Sequence, residues 1–368
     1  MRKFSLGLLA ATAVVALGAT GAMAQIKIAL NGPLTGQLAS FGEQMKRGAE
    51  MAVKDLNDKG GINGQKLSIV FGDDQCDPKQ AVSVANNAVK EKVAAVIGHF
   101  CSGSSIPASD VYKEEGILQI SPASTNPTFT ERGYKNTFRV CGRDDQQGQV
   151  AGDFIASRYK GKKVAVVHDK TAYGKGLADE TKKRLNGTHN IQEVLYEAIT
   201  AGEKDYSALV SKLKQAAVDV IYFGGYHPEA GLIVRQAREQ GLNARFISGD
   251  ALVDKQFWSI AGASGTGTLM TFDADPRKNA VAKEVVDKFK AQGYDPEGYT
   301  LYTYAAIQVF AQAATEAKSV KFADVEKVLR SKTFKTVLGD TAFDAKGDVK
   351  SPAYKVYEWK AGAYDYVN

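Results

Sequence analysis

Short apolar runs of strand length alternate with segments whose apolar residues recur every three or four positions, almost without interruption from Ile26 to Ser248. The run IKIAL precedes a helical segment in which Met45, Ala49, Ala52, Val53 and Leu56 share one face. Gly60-Gly61-Ile62-Asn63-Gly64 then turns the chain into KLSIVF. VAAVI leads to a helix expected to open near Ser104 or Ser105, and ILQI follows. The alternation restarts at VAVV, residues 164–167, with a helix near Gly174 to Leu185 and a strand at Glu193 to Ile199. Asp205 is placed to cap a helix that buries Tyr206, Leu209, Val210 and Leu213. VIYF precedes Pro228 in a first helical turn, with Ala230, Ile233, Val234 and Ala237 on one face and Gly241 as the stop. Strand–helix alternation of this kind predicts an α/β protein with parallel sheets, written as two similar units in series.

The break between the units is expected around Phe138 to Asp144, in FRVCGRD. Beyond Ser248 the order is less regular: helices at Asn279 to Gln292 and Thr300 to Ala317 precede a tail of short strands, and late elements are expected to return to the first unit.

Residues 1–24 have Arg2 and Lys3, the apolar run LGLLAATAVVALG and then Ala22-Met23-Ala24, the layout of a secretory signal peptide cleaved after Ala24. Its apolar core is shorter than the roughly 20 residues of a membrane-spanning helix. Without it, 45 basic and 41 acidic residues remain, a formal charge of +4 that gives no argument for nucleic acid. The remaining length exceeds what one core usually spans, so two domains are expected. Export permits disulfides. Cys76 and Cys101 both follow predicted strands, and pairing them assumes that those strands are neighbours; Cys141 is left as a small buried hydrophobe.

His99, His168, His189 and His227 lie in unrelated contexts with no i,i+4 partner, so no helical zinc motif is present and no metal is expected. GASGTGT at 262–268 has neither dinucleotide nor phosphate-loop spacing, so no nucleotide cofactor is expected. An enzyme would use Cys101 or Ser102 as nucleophile with His99 or His227 as base, but Phe100 stands where the elbow motif around Ser102 needs glycine.

Binding uses the same residues with less strain. Ligands of open α/β sheets sit beyond the carboxyl ends of strands, where helix starts present free N–H groups to anions. The loops beginning at Ser102 and Ser121 are so placed, and Thr125 can accept from an ammonium. In the second unit Tyr173, Tyr226 and Asp250 also follow strands. An anion cradle facing a carboxylate and aromatic rings suits a zwitterion.

CDPKQAV, VIGHFCS, ISPASTNP, TERGY, HDKTAYGKGLA, ITAGEKDYSALV, YFGGYHPE and AFDAKGD closely resemble the periplasmic leucine/isoleucine/valine-binding proteins, the receptors of amino-acid ABC importers. The resemblance covers essentially the whole chain after residue 24. It implies two Rossmann-like lobes, the type I periplasmic binding fold, joined by a three-segment hinge. The expected lobes are residues 25–140 with 274–350, and 141–273 with 351–368. It also implies carboxylate contacts from Ser102 and the Thr125 N–H, and ammonium contacts from the Ala123 carbonyl, the Thr125 hydroxyl and Asp250, with Ser124 in the same loop. Tyr173 and Tyr226 would close from the second lobe; Phe41, Phe100 and Tyr299 would wall the side-chain pocket. The family's disulfide matches Cys76 and Cys101.

Three positions depart from the pattern of the best-known members: Asp250 replaces a glutamate, Phe100 a leucine and Phe41 a tyrosine. A bulkier residue at 100 removes pocket volume. The expected function is therefore a periplasmic, monomeric solute-binding protein, not an enzyme, that delivers an aliphatic L-amino acid to a membrane permease. Leucine, isoleucine and valine lead as ligands, with alanine, proline or γ-aminobutyrate as smaller ones. The alternatives are a ligand sensor of the same fold and a serine hydrolase using Ser102.

Overall fold

The computed structural model describes residues 25–350 and 352–367, so the signal peptide expected at 1–24 lies outside the described residues. Two parallel-sheet lobes follow each other along the chain. The first sheet has the order β2-β1-β3-β4-β5, with β1 Ile26–Gly32, β2 Leu67–Asp73, β3 Ala95–Gly98, β4 Leu118–Ser121 and β5 Thr137–Arg139. All its pairings are parallel, in register Ile28 with Ile69 and Ala95. The second has the order β14-β13-β10-β9-β8-β6-β7, with β6 Val164–His168, β7 Leu195–Ala198, β8 Val220–Gly224, β9 Arg245–Ser248 and β10 Leu269–Asp273. β11 Thr333–Thr336 and β12 Gly339–Ala342 form a separate hairpin; β13 Tyr354–Lys360 and β14 Ala363–Tyr366 add antiparallel to β10.

Late elements therefore divide. The helix Thr300–Ala317 returns to the first lobe and packs along the helix Ala39–Asp58, where Gly48 lets the backbones meet: a Cβ there would lie 2.2 Å from the Thr300 carbonyl oxygen. Phe343 packs on Phe138 of β5, edge to face at 5.2 Å. The last two strands instead join the second sheet, where Trp359 is buried against Phe257.

Both central sheets are covered on two faces, which is why their strands read as unbroken apolar runs. In the first lobe Ala29, Val96, Ala81 and Ala85 pack with Tyr112 in a separate core on one face, and the other face merges with the main core. The helix expected to open near Ser104 begins at Ser102, because the Cys101 carbonyl accepts from both Ser104 N and Ser105 N. Asp205 caps as expected, accepting from Ser207 N, although the regular helix starts one residue later at Ser207. Gly241, with φ of +75°, ends the helix His227–Glu239.

Cys76 and Cys101 are bonded, with Cα atoms 5.5 Å apart. The assumed reason for their closeness needs correction: β2 and β3 are not neighbours but flank β1, and the loops after them arch over its carboxyl end. Asp74 supports this arch, accepting from Cys76 N at 2.8 Å while its other oxygen lies 2.5 Å from His99 Nδ1.

Candidate functional site

The carboxyl ends of β3, β4, β6, β8 and β9 converge between the lobes. On the first lobe, the helix starting at Ser102 leaves its earliest N–H groups without carbonyl partners of their own. Ser102 Oγ accepts from Asn126 N at 3.1 Å, which draws the loop after β4 onto that helix start. Ser121 Oγ shapes the loop by accepting from Ala123 N and Ser124 N and donating to the His99 carbonyl. Arg139, completely buried, donates to the carbonyls of Ser124 and Asn126 and is paired with Asp348 at 2.7 Å. Thr125 is thereby held at the tip of a rigid loop, its hydroxyl buried without a hydrogen bond of ordinary geometry.

On the second lobe, Tyr173 is the second residue of the helix Ala172–His189, Tyr226 caps the helix His227–Glu239, and Asp250 opens a short 3-10 turn after β9. The Tyr173 and Tyr226 rings lie 5.0 Å apart. Asp250 accepts at Oδ1 from Gln147 Nε2 and Tyr173 Oη, both at 2.8 Å, and at Oδ2 from Tyr299 Oη. Burial raises the Asp250 pKa, and the three donors oppose the shift. Four acceptor positions on a carboxylate less three donors leave one, on Oδ2.

Tyr299 links this carboxylate to an apolar corner. Its ring meets Phe100 edge to face at 5.0 Å, Phe100 stacks on Phe41 at 4.3 Å, and Phe41 meets His227 at 5.1 Å. Burial brings His227 down to about 4, so it is neutral at physiological pH. The lobes are closed on one another: Asn126 Nδ2 donates to the Ala172 carbonyl at 2.6 Å, and Gln44 Nε2 to Asp254 at 3.0 Å.

With residues 25–363 the chain matches the family model for periplasmic binding proteins. The chain belongs to that family. A Leu/Ile/Val-binding protein homolog of Brucella melitensis is 55% identical over the full length of both chains. The leucine-, isoleucine-, valine-, threonine- and alanine-binding protein of Pseudomonas aeruginosa is 46% identical, over 92% of this chain and 91% of its own. Among solved structures, the branched-chain amino acid transporter substrate-binding protein of Streptococcus pneumoniae, in complex with isoleucine, is 29% identical, covers 94% of this chain and 99% of its own, and superposes with a TM-score of 0.85. The family acts in the periplasm as the solute-binding component of transport, not as an enzyme.

In this periplasmic binding protein Phe41, Phe100, Tyr299, Asp250, Tyr173 and Tyr226 are connected in one chain of ring contacts and hydrogen bonds. Ser102 and Ala123 are held by Asn126 and Ser121, and Ser124 directs its hydroxyl inward to the Phe100 carbonyl and Ser105 Oγ. The hydrolase reading fails on geometry. Both nitrogens of His99 are occupied, by Asp74 and by Tyr112 Oη; His227 packs against Phe41 with its Nδ1 buried and unbonded, and Ser102 Oγ accepts from the Asn126 backbone N–H. Among the described residues no group of His, Cys, Asp or Glu is placed to hold a metal ion. Cys141 is buried, its thiol pushed up by burial.

Sequence reasoning missed Asp144 and Gln147. Both lie in the first turns of the helix Asp144–Arg158, directly after the chain leaves the first lobe, and both are completely buried. Gln147 Oε1 accepts from Asp250 N and Thr271 Oγ1, so this one amide fixes both the backbone and the carboxylate of Asp250. The polar run DDQQ at the start of a helix was the available signal.

Proposed function

We propose that this protein binds the zwitterion of an aliphatic L-amino acid between its lobes and hands it to the membrane permease of an ABC importer. The proposed lobes are residues 25–140 with 274–350, and 141–273 with 351–368; the protein is exported by a signal peptide cleaved after Ala24 and acts as a monomer. The observation that carries this reading is Asp250, a buried carboxylate with one acceptor position left, facing the helix start at Ser102 and the loop at Thr125 across a closed interface. Ser102 and Thr125 N–H groups take the ligand carboxylate. The Ala123 carbonyl, the Thr125 hydroxyl and Asp250 take the ammonium, and Tyr173 and Tyr226 cover it. The ligand touches both lobes only when they are closed, so its differential affinity drives closure.

The relatives' names favour leucine, isoleucine and valine. The Phe41–Phe100 stack, with Tyr299 across its edge, fills the corner assigned to the ligand side chain and favours smaller ligands: alanine, proline or γ-aminobutyrate. Calorimetry of the refolded, ligand-stripped protein against leucine, isoleucine, valine, alanine, proline and γ-aminobutyrate decides between them. Tight leucine binding without response to the small ligands removes the small-ligand reading, and no binding to any of the six removes the amino-acid reading.

A further inference from the structure

Two buried carboxylates, Asp144 and Asp250, lie close enough to repel one another, and their surroundings differ. Asp250 receives Gln147 Nε2, Tyr173 Oη and Tyr299 Oη. Neither oxygen of Asp144 has a hydrogen bond of ordinary geometry, and its neighbour Thr125 Oγ1 is equally unsatisfied. Other charges on the elements around Asp144 do not neutralise it. Arg139, on β5, is paired with Asp348 and committed to two carbonyls, and Asp145, the next residue, is tied to Arg143. The remaining titratable groups that face it, Tyr173, Tyr222, Tyr226, Tyr354 and the Cys141 thiol, are all kept neutral by burial.

An amino-acid zwitterion brings a single ammonium, and its carboxylate offsets that charge. Two ionised carboxylates closed over it would bring the site to a net charge of −2 with one ammonium to pair with, leaving at least one side-chain carboxylate buried without a counter-charge, which is strongly unfavourable. When two acids share a site, the one with donors keeps the charge and the other the proton. We propose that Asp144 is carried as the neutral carboxylic acid in the closed, ligand-bound protein, taking one proton from solvent on closure and donating its O–H toward Thr125, while Asp250 alone is the anionic partner of the ligand ammonium. The proton joins a carboxylate oxygen of Asp144 and returns to solvent on opening, when water reaches the group. Burial and the nearby Asp250 charge raise Asp144 well above the usual carboxylate range, against the Thr125 hydroxyl and the Arg139 charge, which lower it. The consequence for ligand choice is a site built for one ammonium, although two acidic side chains line it.

The inference rests on the binding reading above. An acid whose pKa rises on closure contributes affinity that is complete below its open-form pKa and is lost as pH rises toward its closed-form pKa. Titration calorimetry of the ligand-stripped wild-type protein with L-leucine, L-alanine and γ-aminobutyrate, in buffers of different ionisation enthalpy, counts the protons. Measured from about pH 5 to about pH 8.5, up to one proton is taken up per ligand bound, and affinity falls with rising pH by up to about tenfold per pH unit. Asp144→Asn, which mimics the neutral acid, abolishes the uptake and keeps affinity within about threefold of the low-pH wild type, whereas Asp250→Asn weakens binding by about tenfold or more. Binding without proton uptake anywhere in that window overturns the inference and leaves the amino-acid reading intact. So does an Asp144→Asn protein, folded by circular dichroism, that loses as much affinity as Asp250→Asn; if it does not fold, the wild-type proton count decides. Failure of all three probes to bind refutes the amino-acid reading, and this inference with it.

Discussion

Phe100 occupies the point where polar and apolar halves of the site meet. Its ring stacks on Phe41 and receives the edge of Tyr299, whose hydroxyl in turn donates to Asp250. A ligand side chain therefore competes with Phe100 for space, and each methylene of fit in such a pocket is worth roughly 1–3 kcal/mol. Phe100→Leu should shift preference toward larger aliphatic side chains, raising leucine affinity relative to alanine by about tenfold or more in competition calorimetry. An unchanged ratio would remove Phe100 as the selector. At this scale Ser102, Thr125, Tyr173 and Tyr226 stand out in the sequence because they follow strands, where core packing does not explain them, whereas the resemblance alone points to Phe41, Phe100 and Tyr299. Asp144 and Gln147 do not stand out, because a polar run at a helix start reads equally well as a solvated first turn. Only the return of β10 and the turn at Asp250 onto that helix makes them internal.

Elements meet through a few close approaches that sequence patterning does not reveal. The apolar stripe from Met45 to Leu56 predicts the helix Ala39–Asp58, but its partner, Thr300–Ala317, lies far along the chain and nothing in the periodicity names it. Gly48 marks the contact. A methyl group there would press on the Thr300 carbonyl, one residue beyond Tyr299, so Gly48→Ala should lower unfolding stability by about 1–3 kcal/mol through overpacking. It should also weaken ligand binding by displacing the Tyr299 hydroxyl. Urea titration and calorimetry on the same preparation test both effects, and a variant as stable as wild type would contradict the packing assigned to these helices. The disulfide teaches a related lesson: the pairing of Cys76 with Cys101 could be read from strand ends, but the strand order could not, since β1 takes the central place between the strands that carry them.

At the scale of the molecule, closure needs the passages between the lobes to bend together. Asp273 ties them: at the end of β10 its carboxylate accepts from Gly142 N at 3.3 Å and from Ala353 N at 3.0 Å, one group from each of the other two passages. Burial raises its pKa to about 6, against the N–H donors that lower it. An acid raised in the folded state stabilises fully below its unfolded pKa, and that contribution is lost as pH rises through the folded pKa, here between about 4 and about 6. The loss amounts to about 3 kcal/mol for a shift of this size. Asp273→Asn keeps an oxygen acceptor without the titration, so the stability of wild type relative to this variant should fall by about that amount between about pH 4 and about pH 7. Urea unfolding of both proteins at the two pH values measures the difference. A gap that does not change with pH would mean that the carboxylate is as well solvated in the folded protein as in the unfolded chain, and that the three passages are held by packing instead.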